Sequence, residues 1–456
     1  VINSYNMYAD VLFEIIPGED IEGIDGAIFD VNSSTVLDLN IVNSHNVRFK
    51  TPTYSNAFVV NAKLNVTNSG VGFAASFTDS AAPTFVFNGG DIYLDNAWIS
   101  PLGSVRNANV TLKGNIQSGY QRAVTFRDCE INAIEIAGWN NFTKAIFDGN
   151  VYIGENTPVK DMFGGDVVWY NAFPKVIYPE NRTDWAGLYY GANNYNRNFL
   201  NEILPNATNV DEMFYNAYNR NLFNNKNNIL NVLNVLNKNI TSLYRFCDGP
   251  RTQSYYAFNS LSELKAVFPN VKNIGYSKLV KRYAEITEDE VAGFTDISGL
   301  NAELPSGVTT FNVPTLTTLV DTFDSSIFNV NIVVSNNCTF APNVYNNERN
   351  VYLTGDLSGI KNGYYLYRDA NQWFGFPESL ESAPYMYDVA GFNEISEPIP
   401  NGLTNTVGMF NGCYNLTSIP SDIDLSNCTN ASGMFSYCFN LTTIDSNFLK
   451  TAKPGI

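Results

Sequence analysis

The chain is poor in the residues on which most catalytic and metal sites depend. Its 456 residues include one histidine, His45, which excludes a His-rich metal site and leaves a Ser-His-Asp or Cys-His mechanism with a single base. Six cysteines are too few for a disulfide scaffold in a chain of this length. No Walker or dinucleotide-binding glycine pattern is present. We therefore predict no enzymatic activity, no metal and no cofactor.

Positive charge and long apolar runs are also scarce. The 27 Lys and Arg residues face 44 Asp and Glu residues, giving a formal charge of −17, whereas phosphate backbones and anionic lipids are bound through clustered cations. The apolar runs are only a few residues long, and a membrane span needs about 20. Hydrophobic residues still make up 45% of the chain, enough for an ordered core. We expect no nucleic-acid partner and no membrane insertion.

A short sequence motif, which we call the repeat phrase, occurs twice near the end of the chain. MFNGCYNLTSIP begins at Met409, and MFSYCFNLTTID begins 25 residues later at Met434. TDWAGLYYGANN from Thr183 and TNVDEMFYNAYN from Thr208 share the pattern and the same offset. Weaker copies occupy 157–166, 242–249, 320–326, 365–371 and 385–395. Such self-similarity at a nearly fixed period predicts a repeat array over 157–456.

A single copy is too small to fold alone. Met409 and Cys413 are four residues apart, which predicts a short helical turn with both side chains on one face. Leu416 and Ile419 then predict a short strand. Stacking such units creates one continuous core, so the array is predicted to be a solenoid.

The repeated cysteine position has two interpretations. Cys413 and Cys438 could form a disulfide or hold a metal, or they could be stacked core thiols, because an unpaired cysteine behaves as a small hydrophobe. Other copies place Ala192 and Ala217 there. An alanine preserves a small buried volume but no bridge or ligand, which favours the core.

The phrase resembles the BspA-type leucine-rich repeat family, whose units read MFxxCxxLxxI. The resemblance is strongest over 404–445, partial over 183–219 and looser elsewhere in the array. Members of that family are mostly surface proteins of gut and oral bacteria, of some parasites and of their viruses, and their repeats are associated with adhesion. The matching positions are core positions, so the resemblance implies no binding residue.

The first third of the chain has a period of two. FVVNAKLNVT (58–67) and ANVTLK (108–113) alternate apolar and polar residues, as half-buried strands do. Many short strands of this kind suit a sandwich, but their direct continuation into a solenoid favours a parallel β-helix over 31–156. This succession resembles the right-handed β-helices of phage tailspikes and polysaccharide lyases. Residues 1–30 are acidic without calcium-loop spacing and are predicted to be a solvated lead-in segment.

Two segments carry the functional hypotheses. The aromatic and polar stretch WAGLYYGANNYNRNF suits either a ligand-contact surface or packing between coils. Its candidate contact residues are Trp185, Tyr189, Tyr190, Tyr195 and Phe199. An enzyme acting on polysaccharide would instead need paired carboxylates, for which Asp128 and Glu130 are the candidates.

The chain is therefore predicted to be a mainly β solenoid with short helices. Capping-box patterns at Ser260 and Thr287 predict where two of those helices begin. The predicted function is that of a non-enzymatic, elongated surface or virion fibre protein, a phage tail or head fibre component, which attaches to a host surface glycan or protein. Its expected location is the virion surface, the cell surface or the extracellular space, with other virion or surface subunits as further partners and a homo-oligomer if it is a fibre. The alternatives are a bacterial adhesin of the BspA type and a tailspike-like polysaccharide-cleaving enzyme.

Overall fold

In the computed structural model the chain folds as a mainly β solenoid with few short helices, as predicted. The structure describes residues 12–13, 20–23, 28–30, 38–45, 47–50, 57–73, 85–99, 104–113, 117–118, 125–134, 146–153, 159–160, 162, 175–192, 197–217, 226–248, 256–420 and 423–444. Two compact units divide the chain, one formed by Val1–Asn237 with Cys247–Gln253 and the other by Lys238–Phe246 with Ser254–Ile456.

The first unit contains fifteen strands and two helices among its described residues. The strands are β1 Leu12–Phe13, β2 Asp20–Glu22, β3 Ile28–Asp30, β4 Asp38–Val42, β5 Val47–Lys50, β6 Ala57–Thr67, β7 Gly70–Phe73, β8 Phe85–Asp95, β9 Trp98–Ile99, β10 Ser104–Arg106, β11 Asn109–Lys113, β12 Gln117–Ser118, β13 Thr125–Ile134, β14 Ile146–Ile153 and β15 Lys175–Ile177. The helices are α1 Arg197–Ile203 and α2 Lys226–Val235.

The second unit has shorter regular elements. Its helices are α3 Leu261–Val267 and α4 Glu288–Val291, and its strands are β16 Thr310–Val313, β17 Val330–Val334 and β18 Val351–Gly355. The three strands pair in parallel in the order β16-β17-β18. Thr287 and Glu290 form the predicted capping box of α4, and Ser260 caps α3 by accepting the N–H of Glu263.

The strands of the first unit form a parallel β-helix. Strands β1, β3, β5, β7, β9 and β12 make one parallel sheet, and β2, β4, β6, β8, β10, β11, β13, β14 and β15 make another. Most early strands alternate between the sheets, so each coil contributes to both. The parallel pairing decides against the sandwich, because the sheets of sandwiches are antiparallel.

The expected domain boundaries at residues 30 and 156 do not coincide with boundaries of these sheets. Strand β2 pairs with β4, and β3 pairs with β5, so the described parts of the expected lead-in segment belong to the first coils. At the other boundary, β14 lies before residue 156 and pairs with β15, which lies after it. A short strand needs only its inward residues to be apolar, so strands such as β2 can carry acidic residues as well.

Inward-facing residues stack in register along the β-helix. Leu64 pairs with Leu39 of the preceding coil and with Ile92 of the following coil. All three side chains are buried. Asn43 and Asn68, with φ of 49° and 48°, turn the chain at equivalent corners, where asparagine tolerates the left-handed conformation. Successive coils therefore have the same buried position and the same left-handed corner.

The repeat phrase forms consecutive turns rather than the predicted helical turn. The N–H groups of Gly408, Phe410 and Gly412 donate to carbonyl groups of the next coil at 3.0, 2.9 and 2.7 Å. Those of Met409 and Cys413 instead return to carbonyls three residues earlier. Both side chains are fully buried, so the shared face was predicted correctly although the hydrogen bonding was not.

A threonine and a polar residue open each well-matched copy. Thr429 N–H donates to the carbonyl of Thr404 at 2.8 Å, and its hydroxyl donates to the same oxygen at 2.9 Å. Asn430 then accepts the N–H of Ser432 at 3.0 Å, which closes an Asx turn. The 25-residue offset between the copies is confirmed, since Asn405 and Asn430 pair directly in parallel.

Candidate binding cleft

Three of the five predicted contact residues lie in the core. Trp185, Tyr189 and Phe199 are 0%, 1% and 4% exposed, so the prediction of a surface is wrong for them and the packing interpretation holds. Trp185 and Phe199 meet edge to face at 5.6 Å between ring centroids, and Tyr189 stacks on the ring one coil away. Tyr190 is half-buried, and Tyr195 lies outside the described residues.

The repeated cysteines are thiols, not a disulfide. Cys413 Sγ donates to the carbonyl of Tyr387 at 3.1 Å, and Cys438 Sγ donates to that of Phe410 at the same distance. The neighbouring Cys438 thiol and burial raise the pKa of Cys413. Because a protonated, buried thiol is a poor nucleophile and ligand, Cys413 occupies a packing position. Cys438 is half-buried, and its hydrogen bond with Cys413 lowers its pKa.

The predicted alternative chemistry is not assembled among the described residues. Glu130 is exposed, and the side chain of Asp128 lies outside the described residues. His45 is exposed. Within the described ranges no three His, Cys, Asp or Glu side chains are grouped to hold a metal ion. No helix in that part of the chain is long and apolar enough to cross a membrane.

A cleft of about 290 Å³ opens on the second unit. It spans several successive coils, and its wall combines apolar side chains with amides, hydroxyls and charges. The residues that line it are Tyr283, Asn301, Leu319, Asp321, Thr322, Phe323, Asp324, Ser325, Ile327, Pro342, Asn343, Val344, Asn346, Arg349 and Val351. We call this the coil cleft.

Four residues of the coil cleft adopt the left-handed conformation. Tyr283, Asn301, Asp321 and Asn343 have φ of 58°, 47°, 48° and 56°. Asn301 N–H donates to the carbonyl of Asp321 at 2.9 Å, which locks these two positions to each other. These positions therefore share a left-handed backbone conformation, whereas their side chains are one tyrosine, two asparagines and one aspartate.

A tight turn fixes Arg349 in the cleft wall. Asn346 and Val351 pair in the antiparallel sense, with each N–H donating to the other's carbonyl at 2.9 Å. The N–H of Arg349 donates to Asn346 Oδ1 at 3.0 Å, and its carbonyl accepts the N–H of Asn329 at 2.8 Å. Among the described residues, no carboxylate oxygen lies within 4.0 Å of the Arg349 guanidinium.

Two carboxylates share the cleft with this guanidinium. Hydrogen bonds from Ser326 hold the pKa of Asp324 below its ordinary value, and the charge of Arg349 adds to the effect. Asp321 Oδ2 accepts the hydroxyl of Tyr276 at 3.1 Å, and burial together with Asp321 raises the pKa of Tyr276. At neutral pH Asp324 is thus an acceptor only, and Tyr276 keeps its proton.

Thr322 contributes the most unusual feature of the coil cleft. It is 0% exposed and lines the wall, yet its Oγ1 has no hydrogen-bond partner among the described residues. Buried polar groups are paired in the great majority of cases, because an unpaired one costs the free energy of its desolvation. The unpaired Thr322 hydroxyl therefore lowers the stability of this coil.

Sequence reasoning missed the coil cleft, although one weak repeat copy, VDTFDSS, runs through it. The irregular spacing of the left-handed residues hid their equivalence. No known protein family, curated protein or solved structure matches the chain. Inference about its function therefore starts from the geometry of this cleft.

Proposed function

We propose that the protein is a non-enzymatic surface or virion fibre protein that attaches to a host surface glycan or protein, with the coil cleft as an attachment site. The single observation that carries this proposal is the cleft itself, where fixed polar groups and an exposed aromatic ring converge on a repeat scaffold. Pockets that bind small molecules combine apolar walls with a few placed polar groups in this way.

The repeat scaffold supports the proposal because the residues that stabilise the solenoid differ from those that face outward and can contact a ligand. Phe410 stacks on Tyr387 and Phe435 of the neighbouring coils at 5.8 and 5.3 Å, so packing is satisfied inside the solenoid. The outward residues, such as Tyr283 and Asn301, can then vary without loss of the core. Solenoids commonly use such surfaces for binding.

Composition supports a location outside cells or on a virion. Only 16% of residues are charged, and the surface relies on asparagine, threonine, serine and 27 tyrosines, which recognise partners by hydrogen bonds and flat rings. The resemblance to BspA-type repeats and to tailspike β-helices favours a phage tail or head fibre, with a bacterial adhesin as the alternative. A fibre would be a homo-oligomer that also contacts other virion or surface subunits.

The test is attachment to intact cells. The chain is fused to a fluorescent protein and incubated with a panel of bacterial strains, and cell-bound fluorescence is measured before and after treatment of the cells with periodate or with protease. We expect binding to at least one strain, lost after periodate for a glycan receptor and after protease for a protein receptor. Absence of binding across a broad panel would contradict attachment.

A polysaccharide-cleaving enzyme is the second candidate, because Asp321 and Asp324 line the same cleft. Glycoside hydrolysis pairs one carboxylate with a proton donor, and the lowered pKa of Asp324 suits only the carboxylate role. Incubation with capsular and plant polysaccharides should produce no new reducing ends. Their appearance, and their loss in Asp324→Asn, would establish the enzyme instead.

A further inference from the structure

We infer that the second units of two copies of this chain associate head to tail, with a cationic patch of one copy against an anionic patch of the other. The cationic patch comprises Lys281, Arg282 and Tyr283, and the anionic patch comprises Glu394, Tyr414 and Phe439. The proposed function includes a homo-oligomer without a surface for it, and this inference supplies that surface. It goes beyond attachment at the coil cleft and does not depend on it.

Charge is segregated along the sequence of the second unit. Residues 264–284 contain five Lys and Arg residues and no Asp or Glu, although the whole chain has a charge of −17. Residues 369–444 contain eight Asp and Glu residues and no Lys or Arg. The second unit therefore carries one stretch of each sign.

The cationic patch holds two charges that no carboxylate of the described structure neutralises. Lys281 is exposed and Arg282 is half-buried. Among the described residues, no carboxylate oxygen lies within 4.0 Å of a side-chain nitrogen of either residue. The Arg282 guanidinium lies 5.8 Å from the ring centroid of Tyr283, which is 51% exposed. The patch thus combines unpaired cations with an exposed ring.

The anionic patch has the complementary composition. Glu394 is exposed, and within the described ranges no Lys or Arg nitrogen lies within 4.0 Å of its carboxylate. Glu394 pairs in parallel with Ser418, which pairs with Thr443. Tyr414 and Phe439 each precede one of these partners by four residues and are 47% and 79% exposed. Because a further coil follows that of Tyr414, its exposure is not an effect of the last described coil.

The two patches occupy the same segment of their coils but are too far apart to neutralise each other. Lys281 follows Val280, which pairs in parallel with Phe258, and Glu394 lies on a bridge of the same kind. Hydrogen bonds between the residues that open successive coils connect Lys272, Thr295, Thr317, Thr339, Lys361 and Glu381 in five steps. At about 4.8 Å per step the patches are about 24 Å apart. That is about three times the Debye length of about 8 Å at physiological ionic strength.

A second copy satisfies both patches. Lys281 and Arg282 of one copy would face Glu394 of the other, and cations also favour the faces of aromatic rings such as that of Tyr414. Since the two patches differ, the contact is heterologous and leaves one patch open at each end for a further copy. The patches are small, so we expect the association to be weak. It should also depend on salt, because charge pairs at the rim of a contact are screened.

The test is sedimentation velocity of the full chain over a series of protein concentrations. It is run in about 0.1 M and about 1 M NaCl, where the Debye length is about 10 Å and about 3 Å. We expect the sedimentation coefficient to rise with protein concentration at low salt, and to rise less at high salt. A chain that stays monomeric throughout the series would overturn the inference.

Two charge reversals locate the contact. Lys281→Glu and Glu394→Lys each place like charges opposite each other and should raise the dissociation constant at least about 10-fold. A chain that carries both reversals exchanges the charges of the two patches and should associate again. Lys226→Glu and Glu202→Lys are the matched controls, because they make the same changes of net charge in the first unit.

The outcomes separate this inference from the proposed function. If each reversal weakens association and the double variant restores it, whereas no cell is bound, the inference stands and attachment fails. If cells are bound but all variants, each shown to be folded by circular dichroism, associate like the wild type, the inference is overturned and attachment stands. If the controls weaken association as much as the reversals do, net charge explains the effect and the inference is overturned as well.

Discussion

Replacement of Thr322 by valine should make the unliganded protein more stable. The side chain is 0% exposed, and its Oγ1 has no partner among the described residues. Its N–H donates to the carbonyl of Leu319 at 3.3 Å and its carbonyl accepts the N–H of Ala302 at 2.7 Å, and these bonds do not depend on the side chain. Valine has almost the same shape and no hydroxyl to desolvate. Since burial of an unpaired hydroxyl costs about 1–3 kcal/mol, we expect Thr322→Val to raise the free energy of unfolding by about 1–2 kcal/mol.

The measurement should report on the second unit alone. Trp373 is the one tryptophan of the five that lies in the sequence of this unit, so its resonance in a 5-fluorotryptophan-labelled chain can follow urea unfolding there. Thr406→Val is the control, because Thr406 is equally buried but its Oγ1 lies 3.5 Å from Cys428 Sγ. It should lose stability rather than gain it. A loss in Thr322→Val as large as in Thr406→Val would show that the Thr322 hydroxyl is already satisfied, for example by a bound water, and would refute the reasoning.

Three further predictions test the solenoid and the charge of the cleft. Phe410→Ala should cost about 3–5 kcal/mol in urea unfolding because it interrupts the ring stack, whereas Phe439→Ala, at a position 79% exposed, should cost far less. Gly408→Ala should destabilise the protein, since φ is 56° and a Cβ there would overlap the ring of the preceding coil; Gly402→Ala, with open space around it, is the control. Asp324 has a lowered folded-state pKa, so its contribution to stability should be present above the unfolded value of about 3.9 and lost as pH falls through the folded pKa. The difference in unfolding free energy between wild type and Asp324→Asn should therefore shrink on acidification, and a difference that grows instead would contradict the assignment.

The solenoid could be predicted from the sequence because the residues that fill its core recur at a fixed offset along the chain. Met409 and Cys413 recur at a fixed offset and are both buried, and the parallel bridge between Asn405 and Asn430 has the offset that the repeat required. Apolar alternation likewise predicted the strands of the β-helix, including β6 and β11. Periodicity reports which side chains face inward, so these parts of the fold were accessible without a structure.

The helical turn was predicted wrongly for a physical reason. Side chains four residues apart share a face in an α-helix, but they also share one in consecutive turns that alternate local and inter-coil hydrogen bonds, as at Met409 and Phe410. The α-helix and the consecutive turns differ in the carbonyl groups to which their N–H groups donate. The spacing of the side chains gives no information on those acceptors. A left-handed glycine such as Gly412 is a signal that distinguishes them, since an interior helix position disfavours glycine.

The aromatic stretch shows the opposite error, in which a surface was inferred from composition. Trp185 and Phe199 are apolar enough to fill a coil, and they do so together with Tyr189. The residues that do line a cleft belong to different coils, and Tyr283, Asn301 and Asp321 share nothing in sequence except the conformation of their backbone. In a stacked fold a recognition site runs across the coils, perpendicular to the chain, so its residues are spaced by whole repeats. Where the repeat length drifts, as it does here, no local pattern connects them, and only the alignment of left-handed positions from coil to coil brings them onto one wall.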